Sequence, residues 1–322
     1  MTQVIANDVS AITPEIWSTM VQVPLYKSLV AMEVASTRLS SELGKGGDIV
    51  QIPRFGDLSV QTYTPGTTIS ATAQDWAYDS LVVSTMKHVT FYRDDAEALM
   101  VNLEVARELA TEAAYRLKDA IDTHVLANIT GADGFTAADT VDVLGSGSNA
   151  NPVSASTANI INIFSGARKV LRQRNVEENG DWCAVVSPTV ASYIETKAAN
   201  VGFNVADATL RNGYAGDFMG FQVYVSNNLP TGKMTAIAPG AGGVTATGLS
   251  ATTGKSLYFG RKGMIDLVLK KEPTLEIRKK DDMLGANFIT WTVYGSTVCT
   301  KNRSRGINMP IHASGNTTGA QL

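Results

Sequence analysis

Apolar residues recur at three- and four-residue steps at Leu99, Leu103, Ala106, Ala110, Ala113, Leu117, Ile121 and Val125. That spacing lines one face of an α-helix. It predicts a helix over about 95–129, roughly 50 Å long at 1.5 Å rise per residue. Asp94 followed by Glu97 makes a capping-box pattern ahead of it. Asp94, Asp95 and Glu97 also suit the positive end of the helix dipole. The stripe is rich in alanine, so whatever covers it packs close.

Residues 48–92 carry a different period. "DIVQIPRF" alternates, with Pro53 marking an edge or bent strand. Pro65-Gly66 signals a turn. "SLVVSTMKHVTFYR" alternates with mixed polarity on both faces. A two-stranded ribbon of this kind is marginal alone and calls for a neighbour to lie on. Further on, helices are expected at about 157–174 and after a Ser187 cap with Pro188 in the first turn. "DWCAVVSP" reads as a buried strand, and "GFQVYVSNNLP" as a strand ending in a turn. "MIDLVLK", "TLEIRK" and "NFITWTVYGSTVC" are three more strand candidates. Residues 1–45 read as an arm with short helical pieces, and 130–155 as a Gly/Ser/Asn-rich loop around a short strand. No internal repeat is sustained.

Composition narrows the class. The chain has 322 residues and 44% hydrophobic content, enough for two or three packed units and a sizeable core. No apolar run reaches membrane-spanning length, and the first residues lack the pattern of a secretory signal. Cys183 and Cys299 stand in unrelated strand-like runs and read as buried free thiols. The formal net charge of -3 is unevenly spread. Lys255 to Arg305 holds eleven Lys/Arg against five Asp/Glu, and Asp94 to Asp122 eight acids against three bases. Opposite-sign segments suit self-association as well as nucleic-acid contact.

The search for chemistry comes back nearly empty. Thr253 to Ser256, "TGKS", resembles the end of a phosphate-binding P-loop. The first glycine of that pattern would have to be residue 249, which is leucine, and neither a buried strand before nor a helix after is predicted. A flexible loop through Gly240, Gly242, Gly243, Gly248 and Gly254 is expected, with Lys255 and Ser256 starting a strand. Asp94-Asp95 reads as a helix cap and Asp281-Asp282 as a charged turn. His124 lacks a nameable Ser/Asp partner. His88, His124 and His312 are too scattered for a zinc site. No catalytic, metal-binding or cofactor-binding residue is singled out, no cofactor is expected, and the chain is not expected to be an enzyme.

Gly216 to Pro230, "GDFMGFQVYVSNNLP", resembles a strand and turn of the major capsid proteins of tailed bacteriophages. The order of elements extends the resemblance over nearly the whole chain. It implies an α+β, Hong Kong 97-like coat fold. An N-terminal arm would span 1–45 and an extended β-loop 46–93. Peripheral-domain residues 94–155 would contain a spine helix and a loop, with an axial α/β domain at 156–263. Residues 264–322 would supply the return strands of an antiparallel peripheral sheet and the tail. The resemblance further implies a coat protein that assembles as pentamers and hexamers into an icosahedral shell around double-stranded DNA. The extended loop and arm would reach neighbouring subunits.

Some relatives crosslink a lysine of the extended loop to a neighbour. None lies between Lys45 and Lys87 here, so that chemistry is not expected. The short stretch before the loop also leaves no room for a built-in scaffolding segment, so a separate scaffolding protein is expected. A portal protein, a decoration protein and packaged DNA bound without sequence specificity complete the implied partners. The expected locations are the virion and, during assembly, the host cytoplasm. Lys270, Lys271, Arg278, Lys279 and Lys280 are expected to pair with acids of neighbouring subunits in preference to DNA. An encapsulin-like cargo compartment is the alternative within the fold, and a nucleotide-binding enzyme the alternative outside it.

Overall fold

The computed structural model describes residues 27, 29–45, 47–69, 71, 73–74, 76–94, 105–131, 133–136, 153–201, 216–232, 254–279 and 284–313. The long helix appears as α2, Val105–Ala127, after a short α1, Ala31–Val34. Ala113, Leu117, Ile121 and Val125 are buried, as the period requires, and Asp122 and Leu126 beside them are buried too. Its expected first turns, with Asp95 and Glu97, lie outside the described residues. Asp94 itself ends a strand, β3, Thr85–Asp94, in register with Gly285.

A seven-stranded sheet forms the main body. It is built from β4 (Val153–Ala155), β5 (Trp182–Val186), β6 (Asp217–Phe218), β7 (Phe221–Val225), β8 (Thr231–Gly232), β9 (Gly254–Arg261) and β12 (Ile307–Ala313). The order is β4-β12-β9-β5-β7-β6, with β8 on β9. β5 is central and buried at every position, which is why its sequence is a continuous apolar run rather than an alternating one. β5 and β7 run parallel. The chain between them includes α4, Pro188–Val201, and the Ser187 carbonyl accepts from Ala191 N at 3.0 Å. Helix α3, Ile160–Gln173, turns Ile160, Ile163, Phe164, Ala167, Val170 and Leu171 inward. Phe164 meets Phe218, Phe221 and Phe259 edge-on at ring separations of 5.0, 5.9 and 5.1 Å.

A second sheet has the order β10-β11-β3, all antiparallel, with β10 at Ile265–Lys279 and β11 at Gly285–Val298. Its one face carries Leu269 and Tyr294 towards the main core and α2. The Tyr294 hydroxyl donates to Ala120 O at 3.4 Å, and Asn128 Nδ2 to Ser296 Oγ at 2.6 Å. The other face carries Val268 and Val293, which bury Leu39, Val50, Leu81 and Val83. Leu39 comes from a 3-10 helix, Arg38–Lys45, and the other three from the root of a two-stranded ribbon, β1 (Ile49–Phe55) with β2 (Trp76–Val82). At Gly295 a Cβ would collide with the Val82 carbonyl and Val83 Cα, so glycine lets the ribbon root press onto β11.

Three pairings differ from the sequence expectation. "SLVVSTMKHVTFYR" is not one strand: it breaks at Val83–Ser84, and β3 pairs with β11 of its own chain. Only β1 and β2 form the free ribbon. "MIDLVLK" and "TLEIRK" are one strand, because register shifts between Leu269 and Thr274 absorb Pro273 on an edge strand. The stretch after the last expected strand, taken for part of the C-terminal tail, contains a further strand, β12, which lies between β4 and β9 in the seven-stranded sheet. The expected loop over 137–152 lies outside the described residues.

Candidate subunit interface

Alternation divides the ribbon into two unlike faces. Val50, Ile52 and Arg54 face the same way as Leu81, Asp79 and Ala77. This face is anchored to the body. Asp79 accepts from Thr300 N at 2.9 Å and from Thr300 Oγ1 at 2.6 Å, at the start of α5, Thr300–Arg303. Burial raises the Asp79 carboxyl's pKa, but the Thr300 hydrogen bonds and the Arg54 and Arg303 charges outweigh that and hold it below the usual range. Lys301 Nζ adds a 3.1 Å contact to Asp57.

The opposite face pairs Ile49 with Val82, Gln51 with Ser80, Pro53 with Tyr78 and Phe55 with Trp76. It carries no charged side chain. Trp76 is 70% exposed and Tyr78 64%, and the Phe55 and Trp76 rings meet edge-on at 4.6 Å. Beyond the strands, Leu58, Val60, Tyr63 and Ile69 are exposed as well. A contiguous exposed apolar surface with aromatic anchors is the signature of a protein contact.

A polar joint fixes the body from which the ribbon projects. Asp122, buried on α2, accepts from Val30 N at 2.8 Å and Ala31 N at 2.7 Å, capping α1. Its other oxygen accepts from Asn228 Nδ2 at 2.7 Å. That amide also donates to Asp119 at 2.8 Å, while its carbonyl accepts from Lys27 Nζ at 2.6 Å. Lys27 and Asp119 form an ion pair at 2.8 Å. Arm, long helix and seven-stranded sheet thus meet at one asparagine. Asn228 belongs to the "VYVSNNLP" stretch on which the resemblance rests, and holding this joint is its physical role. Ser226 Oγ accepts from Asn228 N at 3.1 Å, and Leu229 is buried, which sets the turn.

Lys255 serves the same turn. Its Nζ donates to Asn227 O at 3.3 Å and Leu229 O at 3.0 Å. Gly254, Lys255 and Ser256 open strand β9; Thr253 and the expected loop before it lie outside the described residues. The "TGKS" lysine is therefore committed to backbone carbonyls, and a strand rather than a helix follows it.

Other singled-out residues lie apart. His124 packs edge-on against Tyr294 at 5.1 Å, and burial, with the Lys87 charge, pushes its pKa down. His88 lies on β3 and His312 on β12. Burial pushes the Cys183 thiol up to about 12. Cys299 donates to buried Asp266 at 3.0 Å; burial and that bond push it to about 12. Among the described residues no group of His, Cys, Asp or Glu is placed to hold a metal, and no helix is long and apolar enough to cross a membrane. Asp281, Asp282 and Lys280 lie outside the described residues.

Three of the basic residues of β10, Lys270, Lys271 and Arg278, make ion pairs within their own chain. Lys270 meets Asp48 at 2.9 Å. Lys271 meets Glu276 at 2.7 Å and lies over the Trp291 ring at 3.4 Å. Arg278 meets Glu276 at 3.0 Å. The Lys271, Trp291 and Arg278 hydrogen bonds hold the Glu276 carboxyl down to about 2. Sequence reasoning missed the Lys270 pair because Asp48 is more than two hundred residues away along the chain. It missed the Asn228 joint for the same reason.

Comparison with known proteins places this architecture. A family model described as phage capsid protein matches residues 94–307, and the chain belongs to that family. A chain from Mycobacterium phage Che8 superposes with a TM-score of 0.71 at 20% identity, covering 96% of this chain and 98% of its own. The capsid of cyanophage P-SCSP1u gives 0.66 at 15% identity, covering 98% and 97%. The mature capsid of bacteriophage PhiM1 gives 0.64 at 15% identity, covering 94% and 92%. No curated protein matches the chain. The α+β fold is the Hong Kong 97-like capsid fold, and the protein is a structural component of a phage capsid.

Proposed function

We propose that the chain is the major shell subunit of a phage head and that it self-assembles as pentamers and hexamers into a closed icosahedral shell around double-stranded DNA. The observation that carries this is the uncharged outer face of the β1–β2 ribbon, anchored on one side and bare on the other. Covering roughly 800 Å² per partner is the ordinary scale of a stable protein contact, and a two-stranded ribbon gains its stability from such a cover. The subunit works by association, not by catalysis. Lys255 is engaged with backbone carbonyls, so no saturable ATP binding is expected in a titration of the purified protein. A separate scaffolding protein, a portal and a decoration protein are the proposed partners, with assembly in the host cytoplasm.

Negative-stain microscopy of the purified chain, alone and with its co-expressed scaffold, tests the proposal. Uniform closed shells are the expected result. Monodisperse monomers in the presence of scaffold would overturn it.

A further inference from the structure

We infer that Asn179 is a modification site at which the chain converts its own side-chain amide to a carboxylate, with water as the only other reactant. The inference does not depend on the shell reading. Asparagine followed by glycine occurs at Asn179 and at Asn212, and the second lies outside the described residues. In this dipeptide the glycine has no side chain to hinder attack by its own amide nitrogen on the preceding side chain. The structure leaves the first pair open. Asn179 and Gly180 are both exposed, in the turn between α3 and β5. A Cβ at Gly180 would meet nothing within 4 Å. Neither the Gly180 amide nor the Asn179 side chain has a hydrogen-bond partner among the described residues, so ring closure breaks no bond there. Asn175, in the same turn, precedes the buried, branched Val176, which hinders the approach. The Asn228 amide is held by Asp119 and Asp122.

The Gly180 nitrogen bonds to Asn179 Cγ, the Cγ–Nδ2 bond breaks, and Nδ2 leaves as ammonia with the proton of the Gly180 amide. Water then opens the ring. Addition at Cγ breaks the new bond and gives aspartate. Addition at the Asn179 backbone carbonyl breaks the original peptide bond and gives isoaspartate, whose main chain runs through Cβ and Cγ. Either product adds one negative charge to a turn that already holds Glu177, Glu178 and Asp181. The turn is anchored on both sides. Glu178 is held by Arg168 and by Arg172, the latter at 2.7 Å. Asp181 is held by Arg261 at 3.2 Å, and Trp182 Nε1 donates to Glu177 O at 2.8 Å. The isoaspartate form places extra main-chain length between these anchors, which the turn from α3 into β5 must absorb.

The test ages the purified full chain in warm, mildly alkaline buffer and follows it by isoelectric focusing and by mass spectrometry of tryptic peptides. Residue 179 falls in peptide 175–197 and residue 212 in peptide 212–233, so the two Asn-Gly pairs are read separately. An acidic band that grows with time is expected. The 175–197 peptide should gain mass at residue 179, located by fragmentation, and should become a substrate for an isoaspartyl methyltransferase. Asn179→Ser should abolish the gain in that peptide and leave peptide 212–233 as in the unmodified chain. A synthetic, unstructured copy of residues 175–184 sets the clock. If peptide 175–197 from the folded chain is unchanged once the synthetic copy has fully converted, the inference is overturned, as it is if the gain maps to Asn175. Shell formation is scored on the unaged chain, so its failure bears only on the proposed function.

Discussion

The seven-stranded sheet and the ribbon use the same residue types to opposite ends. In the sheet and the helix α3 against it, Trp182, Phe221, Phe259 and Phe164 have no exposed surface, and every ring touches another. In the ribbon, Phe55, Trp76 and Tyr78 stand outward in a row. The first group is satisfied within one chain. The second is exposed, and its cross-strand order makes one continuous face instead of scattered apolar spots. Aromatic content therefore says little about where stability resides; strand register and the number of layers decide it.

That contrast can be broken from either side. Phe164→Ala should cost the subunit about 3–5 kcal/mol in urea unfolding, because it empties a packed site touching three other rings. Trp76→Ala should leave subunit unfolding within about 1 kcal/mol, yet remove roughly 2 kcal/mol or more per intersubunit contact, read as the concentration at which shells form. A large loss of subunit stability in Trp76→Ala would erase the distinction. Asp122→Ala, at the joint between the regions, should cost about 1–3 kcal/mol by stranding buried donors, with faster amide exchange at Val30 and Ala31.

The smallest effect concerns acid. The Glu276 pKa in the folded chain, about 2, lies below its ordinary value of 4.5. Its contribution is therefore complete above about 4.5 and is lost as pH falls towards about 2. Glu276→Gln should flatten that part of the acid-unfolding profile, with a small loss of stability at neutral pH that vanishes as the two proteins converge towards pH 2.

Much of this was legible in the sequence wherever one period ruled. The stripe from Ala113 to Val125 and the run Trp182–Val186 gave α2 and β5 directly. The two-faced pattern of 48–92 pointed to a ribbon, but not to where the ribbon stops. Val83 turns inward beside Gly295, a long-range packing effect that alternation does not encode. Pro273 read as a boundary because a bulge is invisible without its partner strand. The joint was hidden for a related reason. Asp119 and Asp122 look like ordinary helix acids, and Asn228 like a turn residue, until the fold brings them within hydrogen-bonding distance. Nothing local marks Asp48 as the partner of Lys270.

The bare face of the ribbon has a consequence for heat and salt. A contact made without charges is little screened by added ions. Its driving force comes from released water, which weakens as the temperature falls. Shells held by this face should loosen on chilling more readily than on salting, and light scattering during a cooling ramp would record it. A particle held by this face would be tighter warm than cold.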